Sequence, residues 1–559
     1  MIYFVLDGAS DFVALDCERV SNAQIIPISA AAIAGIPSGF PKERIKQLSS
    51  LISAAELAQE VMSRVAYLWP SMVEQSNCPY YKVKQLLDSI IEKQVIVEAI
   101  ALMAGEKRYI SMPKQWVSAD GDNRESCRFA ALFMDGYPGF KAVGIQRQSV
   151  IKERLYRVAR LIRRTIHAKF HGSAYGRWHQ GDILVGEVGY GAANDFVPVS
   201  AQKLDMGSVV LATLLCGRFL DAAKLLLHDA PIRINPPRAE RRHYYLTLTR
   251  KLIQRANSVQ ETIDHLPATA SGKPLYYFTV NYGRLGDIAI VRSLRKRGIP
   301  CMSMQHACVG HDVWTASQYL DFWETDVKLV ANQNVAASLA SFELARRGGR
   351  YLPISLPMYR RQLRKPSWDR KSVLYVLTGF TRANTMYDNR RINDVLYLEA
   401  VERDLQLIKQ RFDTRIRSHP YDMRQYDNAP ANYLVRSLDC KLSVQQDQFE
   451  ERALVIIDSP STILADMLLA GRPVMLINRT ARLMPAFLEM ANRHKIIWEN
   501  IKEALRYFEQ TLLEDILRRQ QAFADEFVGF YCNPSRDQSI PDAIQVYLTS
   551  SKKEEACSL

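Results

Sequence analysis

The sequence predicts an α/β protein, and three observations carry the prediction. Short apolar runs alternate with amphipathic, helix-period segments along much of the chain. The alternation restarts at Ser372, after a basic, proline-containing segment, Tyr359–Arg370, that reads as an interdomain linker. Finally, Leu454–Asn478, LVIIDSPSTILADMLLAGRPVMLIN, reads as strand, hydroxyl-rich turn, short helix, Gly-Arg-Pro break and second strand. Together these give two Rossmann-like halves, with ligands expected outside the carboxyl ends of the parallel strands, in a cleft between the halves.

The elements follow in order. Met1–Leu6 is a first strand, and Gln24–Ile33 holds another. From Ile45 to Gly105 the apolar spacing is helical, which predicts a helical insertion in the N-terminal half. Ser149–Phe170 is an amphipathic basic helix, and Pro236–Lys251 adds a second basic cluster. Beyond Pro274 the pattern is βαβ: strands at Leu275–Val280, Pro300–Met304 and Val327–Ala331, with helices at Ile288–Arg297 and Ala336–Arg346. The second half has strands at Ser372–Leu377, Thr414–Arg417, Ala453–Ile457 and Val474–Asn478. Its helices are Asp394–Arg411, Ser461–Ala470 and the helical stretch Ile501–Phe527. The expected domains are 1–360, 361–545 and a flexible tail, 546–559.

The 559 residues suffice for two or more domains with their own cores. Hydrophobic residues make up 48% and charged residues 24%, the balance of a water-soluble globular chain. No apolar run approaches the roughly 18 residues that span a bilayer. The start, MIYFVLDGASD, has no basic n-region and meets Asp7 at once, so it reads as a strand and not a signal peptide. A cytoplasmic protein is expected. The nine cysteines form no CxxC pair, so neither a zinc site nor a disulfide framework is expected. No Walker A motif, strand-linked GxGxxG or HExxH appears, and Asp120-Gly-Asp122 lacks the context of a metal motif. A resident metal or cofactor is not expected. The net charge of +14 implies an anionic partner. The positive charge is spread over several helices with no nucleic-acid module, so phosphorylated substrates or an anionic membrane surface fit better than nucleic acid.

The turn Asp458-Ser459-Pro460-Ser461-Thr462 carries the chemistry. Ser459 is placed as an N-cap and Pro460 fits the first helical position. Gly471 follows the helix, where a left-handed residue is wanted. A helix N-terminus here favours a phosphate by about 0.3–1 kcal/mol from its dipole, and the hydroxyls of Ser461 and Thr462 add donors. His419 ends the strand Thr414–Arg417, Arg417 lies just before it, and Pro420 fixes the turn. A histidine there can bond a nucleotide phosphate and stabilise a departing one.

The ordered set His419-Pro420, Asp458–Thr462 and Gly471-Arg472-Pro473 resembles the GT-B glycosyltransferases of bacterial surface polysaccharides. It resembles the capsular Kdo transferases and bacterial sialyltransferases, which use a His-Pro and a Ser/Thr motif around CMP. It also resembles the CDP-glycerol glycerophosphotransferases, whose pattern ends in Ser-Ser, a helix and Gly-Arg-Pro. The resemblance implies that His419, Ser461 and Thr462, with Ser459 and Arg417 nearby, hold the phosphate of a CMP-sugar donor. It further implies a glycan or lipid-linked acceptor, which together with the basic helices points to work at the inner membrane face. Cation dependence is not expected, since the helix dipole, His419 and nearby arginines would balance the phosphate charge.

The acceptor side is less legible. Met304-Gln305-His306-Ala307 resembles the Gln-His-Gly segment of the same group, with Ala307 in place of glycine, and makes His306 a candidate base. Gly283-Arg284-Leu285-Gly286-Asp287 resembles the Gly-x-Leu-Gly-Asp loop of heptosyltransferases, which makes Asp287 a candidate base or nucleophile. Asp7 and Asp11, after the first strand, compete for the same role. Open alternatives are a CDP-glycerol-type polyol-phosphate transferase, a sugar-nucleotide epimerase of the same fold, and a non-enzymatic nucleic-acid binder.

Overall fold

Parallel strands buried on both faces need continuous apolar runs, and the strands lie where those runs lie. The computed structural model describes residues 2–7, 12, 23–37, 39–66, 80–104, 109–113, 140–143, 183–185, 201–203, 238–264, 276–279, 285–305, 325–340, 350–353, 363–378, 393–418, 430–443, 448–458, 460, 462–479 and 482–532. Among them are three parallel sheets with helices joining many of their strands, the expected α/β class.

The first sheet joins β1 (Ile2–Leu6), β2 (Ala23–Pro27), β3 (Tyr109–Pro113) and β4 (Phe140–Val143) in the order β2-β1-β3-β4. Its helices are α1 (Ala30–Ala34), α2 (Ala54–Ala66) and α3 (Tyr80–Ala104). The segment expected as a helical insertion therefore lies between two strands of a sheet that the sequence did not separate from the next one. Val83, Leu87, Ile90, Ile91 and Ile100 of α3 are fully buried, as a crossover helix under a sheet requires.

The second sheet has the order β10-β9-β8-β7-β5-β6. Its strands are β5 (Ile183–Val185), β6 (Ala201–Lys203), β7 (Tyr276–Thr279), β8 (Cys301–Met304), β9 (Val327–Val330) and β10 (Arg350–Pro353). Its helices are α4 (Arg238–Asp264), α5 (Leu285–Lys296) and α6 (Gln333–Ala340). The second basic cluster falls on α4, whose Leu248, Leu252, Ile253, Ala256 and Val259 are buried while Arg250 and Lys251 are exposed. The basic segment 149–170 lies outside the described residues.

The third sheet, β13-β12-β11-β14-β15-β16, holds the candidate site. Its strands are β11 (Ser372–Val376), β12 (Asp413–Arg417), β13 (Lys441–Leu442), β14 (Leu454–Ile457), β15 (Val474–Ile477) and β16 (Ile497–Trp498). Its helices are α7 (Asp394–Lys409), α8 (Pro430–Leu438), α9 (Gln448–Arg452), α10 (Thr462–Leu469), α11 (Pro485–Arg493), α12 (Ile501–Gln510) and α13 (Leu513–Phe527). Strand alternation sorts the core into two layers. Val373, Tyr375, Leu454, Ile456, Met475 and Ile477 face α7, α8 and α12. Leu374, Val376, Val455, Ile457, Val474 and Leu476 face α10, α11 and α13.

Helix α7 links the third sheet to the first. Asn393 caps it, its side-chain oxygen accepting from the amide of Val395 at 2.9 Å. Val395, Leu398, Val401, Leu405 and Ile408 form its buried stripe. Its other contacts reach the first sheet's unit. The Glu399 carboxylate accepts the amides of Leu48 (2.6 Å) and Ser49 (2.9 Å), and the Asn393 amide donates to Glu92 of α3 at 2.7 Å. One apolar core consequently runs from Val5 and Ile91 to Leu398 and Tyr375.

The described part of the expected linker, 363–370, is tied down along the third sheet's layers. The amide of Arg364 donates to Leu469 O at 3.2 Å and that of Ser367 to Gly471 O at 3.2 Å. Trp368 is buried against Phe412 and Phe508. Gly471 has φ +69°, the left-handed helix stop expected from its position. A Cβ there would stand 2.5 Å from Lys365 O and 2.9 Å from Arg364 Cβ. Gly471→Ala is thus expected to lower stability by about 2–4 kcal/mol through backbone strain and overpacking. Urea denaturation measures this, and a loss below about 1 kcal/mol would contradict the close approach.

Candidate functional site

The chain winds the third sheet outward from β11 in two directions. β12 and β13 go one way, and β14, β15 and β16 go the other. The switch point is the gap between the carboxyl ends of β11 and β14, where doubly wound sheets take their ligands. The second sheet has its own switch point, between β5 and β7.

The sequence candidates distribute around these ends. Arg417 is the last residue of β12, half-buried, with its carbonyl accepting from the Leu377 amide at 3.0 Å. Ile416 faces α7, so Arg417 projects on the opposite face, which it shares with α10. Its neighbour Arg415 on that face lies over the Phe449 ring of α9, 4.1 Å from the centroid. Thr462 is the first residue of α10, and Pro460 before it is buried. His419, Ser459 and Ser461 lie outside the described residues, as does the Thr462 side chain. The topology nonetheless brings the chain on either side of β11 to one edge: the end of β12 just before His419, and Asp458 and Pro460 around Ser459.

In the second sheet, Asp287 is the third residue of α5, in the crossover that follows β7, and its side chain is outside the described residues. His306 is also outside them, but Gln305 before it is fixed. The Gln305 amide donates to Leu329 O at 2.9 Å, and its side-chain oxygen accepts from Ala331 N at 2.9 Å. The two candidates thereby follow adjacent strands, β7 and β8, at the same edge of one sheet.

Asp7, the third acceptor-side candidate, lies at the first sheet. It follows β1 and is buried in an ion pair with Lys93 of α3, Nζ to Oδ1 3.0 Å. The same ammonium donates to Ile28 O at 2.7 Å, and Ser29 Oγ donates to the Asp7 carbonyl at 2.6 Å. The Lys93 ammonium thereby ties the ends of β1 and β2 to α3. Asp11 is outside the described residues.

The structure adds a cluster that the sequence reading did not assemble. On the α7 face of the third sheet lie Tyr375 (β11), Tyr397 and Asp404 (α7), Asp458 (after β14) and Arg479 (after β15). The Tyr397 hydroxyl donates to the Asp458 carboxylate and accepts from the Thr378 amide at 3.1 Å. Arg479 pairs with Asp404, and its amide donates to Asp458 O at 3.2 Å. Burial pushes the Asp458 carboxyl up to about 7, against the Tyr397 hydrogen bond and the Arg479 charge. Burial, followed by the Asp458 charge, lifts Tyr375 and Tyr397 well above the usual phenol range. Burial raises Asp404 as well, with Arg479 opposing. Burial alone would lower Arg479, but the facing Tyr375 and Asp404 outweigh it and raise it. One local signal existed: the LVII run stops at a charge, Asp458, on the inward parity of Leu454 and Ile456.

Fold and site together define an α/β protein of doubly wound parallel sheets, the third with its switch point between β11 and β14. No protein-family model and no curated protein matches this chain. Among solved structures it is similar to the S. aureus MnaA–UDP complex, at 12% identity and TM-score 0.33, covering 62% of this chain and 88% of that one. It is similar to the trehalose-6-phosphate synthase OtsA, at 12% identity and TM-score 0.33, covering 63% and 89%. It is also similar to Anabaena HepE in complex with UDP, at 11% identity and TM-score 0.29, covering 67% and 99%. Likenesses this distant carry no activity over to this chain. No helix among the described residues is long and apolar enough to cross a membrane.

Proposed function

We propose that the protein is a glycosyltransferase that moves a sugar from a CMP-activated donor, of the sialic or Kdo type, to a glycan or lipid-linked acceptor of a surface polysaccharide. The observation that supports it is the meeting of two chain segments at one switch point. The end of β12, leading into His419, and the turn from Asp458 to Thr462 flank β11 at its carboxyl edge. Amides of the α10 N-terminus, the Ser461 and Thr462 hydroxyls, His419 and Arg417 would hold the leaving CMP. His306 or Asp287, at the carboxyl edge of the second sheet, would take the acceptor's proton. The charge on the departing phosphate would be balanced by these groups without a divalent cation.

A nucleotide panel in EDTA tests this by thermal unfolding. CMP at a hundredfold excess over its Kd should stabilise the protein by about 2.7 kcal/mol. His419→Ala, or Ser461→Ala with Thr462→Ala, should remove that stabilisation while leaving the unliganded transition in place. A response to CDP alone would favour polyol-phosphate transfer. A response to UDP alone would favour a UDP-sugar enzyme. Silence to every nucleotide overturns the reading.

A further inference from the structure

We infer that Tyr397 is a positioning residue of the donor site, its hydroxyl holding the loop after β11 and the turn after β14 at a set separation. The inference rests on the nucleotide reading above and assigns a role to a residue outside the turn itself. The β11–β14 ladder ends at the pair Val376↔Ile457. Beyond it the two chains part. The Leu377 amide turns away to Arg417 O on β12. The next amide, Thr378, goes to the Tyr397 hydroxyl, which in turn donates to Asp458. The Thr378 amide also reaches the Asp458 carboxylate directly, so the phenol from α7 completes a bridge between the two chains where the ladder stops, at the switch point. Its ring is fully buried, and it stands on the first turn of a helix capped by Asn393. The far side of Asp458 is held through Arg479, whose amide donates to Asp458 O and whose guanidinium pairs with Asp404.

This span also sets charge. Asp458 immediately precedes Ser459, so an ionised carboxylate there opposes a bound phosphate. The groups facing it are Tyr375 from β11, Tyr397 and Asp404 from α7, and Arg479 beyond β15. The Tyr397 hydrogen bond stabilises the ionised form, so its loss moves the Asp458 titration upward.

The test is calorimetric titration of the full chain with CMP between pH 6 and 8.5. Wild-type affinity should fall as pH rises through about 7, the Asp458 value. Tyr397→Phe should weaken binding about tenfold at pH 6, where Asp458 is neutral, and move the inflection to higher pH. Tyr433→Phe, which removes a hydroxyl reaching Glu402 on the same helix, should change neither. Asp458→Asn should make the affinity independent of pH beyond the nucleotide's own titration, and it serves if Tyr397→Phe fails to fold. Wild-type affinity and inflection in Tyr397→Phe, or an unchanged profile in Asp458→Asn, overturns the positioning role alone. Absence of CMP binding in the wild type overturns the donor reading and this inference with it.

Discussion

Lys93→Ala is expected to destabilise the protein by about 3–5 kcal/mol, the usual effect of removing one partner of a buried ion pair. The Lys93 and Asp7 side chains are 3% and 1% exposed, with Nζ and Oδ1 3.0 Å apart. Removing the ammonium strips the Asp7 carboxylate of the cation facing it and frees Ile28 O from a 2.7 Å hydrogen bond. The effect should spread, because the adjacent Glu92 accepts from Asn393, the cap of α7. Asp7→Asn should also destabilise, leaving Lys93 buried opposite a neutral amide. Lys93→Met combined with Asp7→Asn should recover much of the loss, since an apolar replacement avoids the uncompensated charge. Guanidinium denaturation of the three variants decides the matter. Turnover lost in Asp7→Asn with stability unchanged would instead support Asp7 as the acceptor-side base.

The legible parts of this fold are those where a local pattern is enough. LVII, VMLI and VLYV are buried in full and read as strands without help from elsewhere. Gly471 marks the end of α10 closely, whereas the helix starts at Thr462, two residues beyond the first helical position expected at Pro460. The first sheet was hidden because its strands are far apart in the chain and weakly marked. β3 is YISMP, ending in proline, and its partner β1 lies more than a hundred residues away. β5 is three residues long, and β6, AQK, is a polar edge strand. Without those pairings α3 looks like an insertion, since a buried helix has the same apolar pattern either way. The site divides in the same manner. The turn is contiguous and could be read, but Tyr397 meets Asp458 across 61 residues and Arg479 meets Asp404 across 75. No spacing rule links them, because the sheet's pairing order and the docking of α7 bring them together.

Asp458→Asn should change the slope of stability against pH more than any other single substitution at this site. The folded carboxyl sits at about 7, against 3.8 ordinarily. A raised acid stabilises the fold fully below its unfolded value and loses that contribution as pH climbs through its folded value. The window therefore runs from about pH 4 to about pH 7, and a displacement of that size is worth about 4 kcal/mol. Asparagine carries no charge at any pH and can still accept from Tyr397. Relative to wild type, the variant should gain stability between about pH 4 and pH 7 and level off above that, and at pH 8 it should be the more stable protein. Urea midpoints for the two proteins at pH 4, 6 and 8 give the comparison directly. A difference that stays constant across this range would mean that Asp458 is ionised throughout, with Arg479 and Tyr397 outweighing its burial. Under the proposed donor reading, an Asp458 carboxyl that is partly neutral near pH 7 lessens the negative charge next to Ser459, where the phosphate would bind.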